Sequence, residues 1–209
     1  KRYPSVWCPG CGIGIVMGSL IRVADKLQLD QNQVALVSGI GCSGRLPVYL
    51  DFNTLHTTHG RALSFATGIK LAKPDLTTIV IMGDGDATAI GGNHFIHTAR
   101  RNVNLVAIVI NNFIYGLTGG QCSPTTPMGS KSTTSRAGNL DKPFDICNLA
   151  LGAGASYVAR GTVYHAFQLD KLIEGGIANP GFSVIEVVSN CHTFYGRFNR
   201  LGGPVDMLK

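Results

Sequence analysis

Thr77-Thr78-Ile79-Val80-Ile81-Met82-Gly83-Asp84-Gly85-Asp86 and Leu105-Val106-Ala107-Ile108-Val109-Ile110-Asn111-Asn112 are the two stretches that decide the fold. Each is a near-continuous apolar run of strand length that stops abruptly in glycine or polar residues. Strands covered on both sheet faces have this appearance. Working outward, residues 12–28 place Ile13, Val16, Leu20, Val23 and Leu27 at helical spacing, residues 34–38 form a short apolar strand, and residues 60–73 read as a helix closed before Pro74. Residues 89–101 are expected to be helical. Residues 113–142 form a long loop rich in Gly, Ser, Thr and Pro, a length that is unusual inside a compact domain and tends to carry function. A short helix near 143–151, a strand near 155–159, a helix over 163–178 and a strand over 182–188 follow. Five strands alternating with helices predict an α/β fold: a doubly wound, mostly parallel sheet, in one domain spanning 1–209. Ligands of such sheets sit beyond the carboxyl ends of the strands. Here those ends are residues 39–44, 83–86, 111–115 and 189–191.

Composition excludes several classes. Apolar residues make up 44% of the 209 and charged residues only 14%, too little charge for a disordered tail or a coiled coil. The 27 glycines are nearly twice the ordinary share of ~7%, which suggests close backbone approach to ligands at many loops. The balance of 18 Lys+Arg against 12 Asp+Glu gives a net charge of +6. No block of five like charges exists, so no nucleic-acid partner is expected. Six cysteines are too few for a disulfide scaffold. The longest apolar run, Ile13 to Ile21, contains Gly14, Gly18 and Ser19 and stops at Arg22, too short to cross a bilayer. A cytoplasmic protein without a membrane partner is expected. The acids are lopsided: ten Asp but only two Glu, Glu174 and Glu186.

The chemistry begins at Gly83-Asp84-Gly85 and Asn112, each closing an apolar strand and 28 positions apart from Asp84 to Asn112. Mg²⁺ seeks six oxygens and is usually held by few protein ligands plus phosphate. Asp84 offers a carboxylate, Asn112 an amide oxygen, and a backbone carbonyl just beyond a third oxygen. The glycines let the backbone approach phosphates, and a helix starting near Ala89 is expected to supply N–H groups and the positive end of its dipole. This spacing resembles the thiamine-diphosphate signature. The resemblance implies Asp84 and Asn112 as Mg²⁺ ligands, with the carbonyl of Ile114 as the third.

The cysteines leave three readings open. Trp7-Cys8-Pro9-Gly10-Cys11 could be a redox dithiol, half of a zinc site, or part of a 4Fe–4S cluster, which needs four thiolates that need not be contiguous. Candidates for the remaining cluster ligands are Cys42, Cys122, Cys147 and Cys191. Cys42 and Cys191 lie at strand ends, on the edge where the diphosphate belongs. Cys122 ranks below them, and Cys147, among Phe144, Ile146 and Leu149, reads as a buried core thiol.

Taken together, these motifs make the chain similar to the β subunits of 2-oxoacid:ferredoxin oxidoreductases over nearly its whole length. The likeness is carried by Cys8-Pro9-Gly10-Cys11-Gly12, Gly39-Ile40-Gly41-Cys42-Ser43-Gly44-Arg45, His59-Gly60-Arg61-Ala62, Gly83-Asp84-Gly85-Asp86, Asn111-Asn112 through Tyr115-Gly116-Leu117-Thr118-Gly119-Gly120-Gln121, and Ser123-Pro124-Thr125-Thr126. It implies a thiamine-diphosphate-binding domain whose CxxC segment and C-terminal tail contribute to an iron–sulfur site. Cys8, Cys11, Cys42 and Cys191 are then the cluster ligands. Cofactor contacts come from Ile40, Gly41, Cys42, Ser43, His59, Gly83, Asp84, Gly85, Asp86, Asn112, Gly116 and Leu117. The implied reaction is coenzyme A-dependent oxidative decarboxylation of a 2-oxoacid, with electrons passed through the cluster to ferredoxin.

Two details sharpen this reading. Thiamine-diphosphate enzymes generally use a Glu to activate the cofactor. Glu174 falls in the late helix and Glu186 inside the last strand, neither at a cofactor loop. The activating Glu is therefore expected from an α subunit, without which this chain would be inactive. Arg45, three residues past Cys42, offers a planar fork for a substrate carboxylate, with a phosphate or interface contact as the other reading. The segments Leu55-His56-Thr57-Thr58-His59-Gly60-Arg61 and His192-Thr193-Phe194-Tyr195-Gly196-Arg197 are similar to the 2-oxoglutarate-using members. That favours 2-oxoglutarate to succinyl-CoA. The alternatives are pyruvate or a branched-chain 2-oxoacid, or a non-redox decarboxylase with a structural metal at the cysteines.

Overall fold

The computed structural model describes residues 4–209 and contains one six-stranded sheet. Its strands are β1 (Val34–Ser38), β2 (Asn53–His56), β3 (Thr77–Gly83), β4 (Leu105–Asn111), β5 (Tyr157–Thr162) and β6 (Phe182–Val188). They run in the order β2-β1-β3-β4-β6-β5, every pair parallel. The α/β class and doubly wound sheet expected from the alternation are what is found.

Alternate residues of the central strands feed two cores, as the period of two requires. Ile79, Ile81, Ile108 and Ile110 face α1 (Ile13–Lys26) and α6 (Ala166–Ala178). Val80, Met82, Ala107 and Val109 face α2 (Ala62–Ala72), α4 (Gly92–Arg100) and α5 (Ile146–Ala153). The numbering includes α3, a single helical turn over Asp84–Thr88.

Four elements differ from the sequence reading, each for a physical reason. The sixth strand, β2, was not anticipated: its four residues are all exposed and carry no apolar alternation, so only pairing with β1 makes them a strand. The helix expected over 89–101 is α4, which begins only at Gly92 and ends at Arg100. Chain direction changes at Ala89–Gly91, where Gly91 packs so closely on the Asp86 carbonyl that no side chain fits. The helical N–H groups beside the strand end therefore belong to α3, which starts at Asp84 itself, and not to a helix near Ala89. Helix α5 starts at Ile146, because the Asp145 side chain accepts the Asn148 N–H as an N-cap. It ends at Gly154 in the left-handed conformation (φ 94°), which delays β5 to Tyr157.

The strand order puts the carboxyl ends of β1, β3, β4 and β6 side by side. The connections leaving β1 and β3 run in opposite directions across the sheet, which makes the β1/β3 boundary a switch point, and two adjoining crevices open along this edge.

Candidate active site

The first crevice is built from oxygens. Asp84, 3% exposed, opens α3 directly after β3. Its Oδ2 accepts from Ser123 Oγ at 2.5 Å and from Thr125 Oγ1 at 2.7 Å, both on the long loop. Burial nevertheless pushes its carboxyl above the ordinary carboxylate range, against those donors. Asn112 follows β4, and Phe113 after it adopts a left-handed conformation (φ 62°) that turns the chain back on itself. The side-chain oxygen of Asn111 accepts the Phe113 N–H at 3.1 Å, and Thr126 Oγ1 donates to the Phe113 carbonyl at 2.6 Å. This turn brings Ile114 beside Asp84. The Asn112 amide oxygen faces two other oxygens. Turned the other way round, its nitrogen would donate to Asp84 Oδ1 at 3.3 Å and to the Ile114 carbonyl at 2.8 Å. Adjacent ligands of an octahedral Mg²⁺ at 2.0–2.1 Å lie about 3 Å apart. Three converging oxygens at such spacings suit a hard divalent cation.

The wall opposite comes from the β1 end. Ile40, Gly41, Cys42 and Ser43 line this crevice together with His59, and Gly83, Gly85, Asp86, Gly116 and Leu117 complete it. Asp86 fastens two of these loops: its Oδ1 accepts the Gly60 N–H at 2.6 Å and lies 3.6 Å from His59 Nδ1. Its Oδ2 is buried without a partner, and burial pushes the carboxyl up to about 6. A Cβ on Gly85 would overlap the Tyr115 ring, so the backbone there is bare toward the crevice.

The second crevice is built from sulfur. Cys8, Cys11, Cys42 and Cys191 line one cavity of about 180 Å³, roofed by Trp7 and Phe194. Cys42 precedes a 3-10 helix over Ser43–Tyr49, and Trp7 Nε1 donates to its carbonyl at 2.8 Å. Burial pushes the Cys11 and Cys42 thiols up to about 11, with the neighbouring cysteines adding to the effect. Such thiols are inert as nucleophiles and become thiolates on meeting a metal. Among the described residues, no three of these four sulfur atoms lie within 4.8 Å of one another. Four converging thiols are the ligand set of a 4Fe–4S cluster and equally of a tetrahedral Zn²⁺.

The two crevices share a partition. Cys42, Asn112, Gly116 and Leu117 line both. A Cβ on Gly116 would sit 3.5 Å from Cys42 Sγ and 3.7 Å from Cys191 Sγ.

Some expected residues lie elsewhere. Arg45 is half-buried on the 3-10 helix and lines neither crevice. Cys122 faces a separate cavity with Asn139 and Lys142. Cys147 is not a core thiol: it is half-buried on α5 and its Sγ donates to Glu186 Oε2 at 3.3 Å. Glu174 pairs with Lys26 at the surface at 2.6 Å. Glu186 lies outside both crevices, buried at 3% exposure.

Sequence reasoning did not single out Asn190. Its Oδ1 accepts the Gly12 N–H at 2.8 Å and its Nδ2 donates to the Gly10 carbonyl at 3.0 Å, fixing the CxxC loop to the residue next to Cys191. Its position directly before Cys191 was the available signal. Ser123 and Thr125 stood in a noted motif, but nothing local to it says that they reach Asp84.

The family model for the C-terminal TPP binding domain of thiamine pyrophosphate enzymes matches residues 10–187. A 2-oxoglutarate synthase subunit KorB of Archaeoglobus fulgidus is 58% identical over 209 residues, all of this chain and 76% of that protein. A subunit of the same name from Methanocaldococcus jannaschii is 54% identical over 208 residues, covering 77% of that protein. A solved 2-oxoglutarate:ferredoxin oxidoreductase from Magnetococcus marinus, with 2-oxoglutarate, coenzyme A and succinyl-CoA bound, superposes with a TM-score of 0.91 at 40% identity. The match covers 93% of this chain and 67% of that one.

Proposed function

Because this chain belongs to the β-subunit family of the 2-oxoacid:ferredoxin oxidoreductases, with a thiamine pyrophosphate-binding domain, we propose that it forms half of an enzyme converting 2-oxoglutarate and coenzyme A to succinyl-CoA and CO₂. Two electrons leave singly to two molecules of ferredoxin, and one proton is released. The observation that carries this reading is the shared partition: the oxygen crevice and the sulfur crevice are separated by Cys42, Asn112, Gly116 and Leu117 alone. Thiamine diphosphate supplies the electron sink for loss of CO₂, and a 4Fe–4S cluster supplies a one-electron outlet.

The residues divide this work. Asp84, Asn112 and the Ile114 carbonyl hold Mg²⁺ and through it the diphosphate. Gly83, Gly85 and Gly116 would allow its close approach, and Asp86 ties its own loop to the one carrying His59 and Gly60. Cys8, Cys11, Cys42 and Cys191 hold the cluster. Cys42 lines both crevices, so groups held in the two would leave only a short path for electrons between them. Neither Glu lines the oxygen crevice, in keeping with an activating Glu donated by an α subunit. Substrate selection by Arg45 requires the partner or the substrate to draw its guanidinium toward the crevice. None of the helices among the described residues is long and apolar enough to cross a membrane, in keeping with a cytoplasmic enzyme.

The test is anaerobic co-expression with the α subunit, followed by assay of ferredoxin reduction. Reduction dependent on both 2-oxoglutarate and coenzyme A, with iron, sulfide and thiamine diphosphate in the purified complex, is the expected result. A complex that releases CO₂ without reducing ferredoxin, or that contains zinc in place of iron, refutes it. Arg45→Ala should shift preference from 2-oxoglutarate toward pyruvate; an unchanged preference removes Arg45 from substrate selection.

A further inference from the structure

One buried polar chain runs from the protein surface to the oxygen crevice, and the reaction outlined above does not use it. It begins at Arg160 on β5, whose Nε donates to Glu186 Oε2 at 2.7 Å and whose Nη2 bonds Asp145 at 2.7 Å. Asp145, Cys147 and Glu186 converge within 4.8 Å as metal ligands can, but the guanidinium already bonds both carboxylates. Glu186 Oε1 accepts from Asn111 Nδ2 at 2.8 Å. The Asn111 amide oxygen then accepts the Phe113 N–H at 3.1 Å and stands 3.0 Å from Thr125 Oγ1, which donates to Asp84 at 2.7 Å. Asp84, Asn111 and Glu186 are each 3% exposed and Thr125 is 2% exposed.

The geometry points to Glu186 as a positioning residue for the metal site, acting through Asn111; this inference rests on the Mg²⁺ role given to Asp84, Asn112 and Ile114 above. An Asn side chain can sit in either of two amide orientations. Only one of them accepts from Phe113 and donates to Glu186. Glu186 is an acceptor with no proton to give when ionised, and Arg160 faces its other oxygen, so the amide nitrogen of Asn111 must point toward it. The amide oxygen then faces Phe113 and Thr125. The left-handed turn at Phe113 presents Asn112 and Ile114, and the Thr125 hydroxyl holds Asp84. One amide orientation thus sets all three oxygens. Substitution of groups that orient metal ligands from behind typically costs 10–100-fold in metal affinity.

The test uses the complex with its partner subunit, stripped of divalent cations with EDTA and titrated calorimetrically with Mg²⁺ at saturating thiamine diphosphate. Glu186→Gln keeps an acceptor for Asn111 and should bind Mg²⁺ within about threefold of the parent affinity. Glu186→Leu and Asn111→Leu should each weaken Mg²⁺ about tenfold or more, as expected for groups behind a metal ligand. The double variant should be no weaker than either single one, because both break the same link. Thermal unfolding in EDTA establishes that each variant is folded. Should the leucine variants not fold, Thr125→Val and Thr125→Ser replace them: Val should weaken Mg²⁺ and Ser should restore it. Folded variants with unchanged Mg²⁺ affinity, or a Gln variant as weak as the Leu variant, overturn the inference. Parent complex that takes up neither Mg²⁺ nor thiamine diphosphate overturns the functional reading instead.

Discussion

Asn190 accepts the backbone N–H of Gly12 across 178 positions of sequence, at 2.8 Å. Its amide nitrogen also donates to the Gly10 carbonyl, at 3.0 Å. One side chain thereby clamps the loop of Cys8 and Cys11 to the strand end of Cys191. Asn190→Ala leaves a buried N–H without a partner and should cost about 1–3 kcal/mol. The measurement is iron content per chain beside thermal unfolding. Iron should fall and the midpoint should drop; full iron content in the variant would count against the clamp.

Glycine is required at some positions of the site and idle at others. At Gly85 an added Cβ overlaps the Tyr115 ring, so Gly85→Ala should displace that ring and weaken thiamine-diphosphate binding. At Gly92, in the first turn of α4, nothing lies within 4 Å of an added Cβ. Gly92→Ala should be neutral or stabilising by roughly 0.5–1 kcal/mol, because Ala loses less backbone entropy in a helix. Calorimetric titration and thermal melts of the pair separate the two effects.

Asp86 accepts the Gly60 N–H at 2.6 Å, and with it holds two of the loops around the oxygen crevice. Asp86→Ala should destabilise by about 1–3 kcal/mol, since a buried N–H is left unpaired. Asp86→Asn retains an acceptor oxygen and should lose less. Equal losses in denaturant melts would show that the charge matters more than the hydrogen bond.

Asp145 supplies a pH-dependent contribution. The Asn148 N–H, foremost, and the Arg160 guanidinium hold its carboxyl below the ordinary value of 3.8. A depressed folded value means that the unfolded chain takes up the proton first as pH falls. The contribution is therefore fully present above about pH 4 and is lost as pH drops through the folded value. Asp145→Asn keeps a cap but not the charge. The stability gap between parent and variant should stay constant from pH 7 to about pH 5 and shrink below about pH 4. A gap that widens on acidification contradicts the assignment.

Much of the site is legible because strand ends are local. A continuous apolar run such as Ile79–Met82 announces a strand covered on both faces, and the residue after it must lie at the sheet edge. Asp84, Asn112, Cys42 and Cys191 were each placed in this way. What escaped depends on pairing or packing. Strand β2 has no pattern of its own, and Cys147 looked apolar by its neighbours in sequence while its thiol turns toward Glu186. The helix expected from Ala89 begins only at Gly92, because the chain turns at Gly91, whose backbone packs against the Asp86 carbonyl.

Sequence by itself determined the sheet class, the placing of Asp84, Asn112, Cys42 and Cys191 at strand ends, and the lack of a spare Glu at the cofactor loops. These follow from residue type and from order along the chain, which local sterics and hydrophobic periodicity translate directly. Tertiary structure alone decided that the oxygen and sulfur crevices share one wall at Gly116, and that Glu186 joins Asp84 through Asn111 and Thr125. The links of Thr125 to Asp84 and of Asn111 to Glu186 span 41 and 75 positions. Hydrogen bonds at such separations are set by strand order and register, and these emerge only when both faces of the sheet are packed.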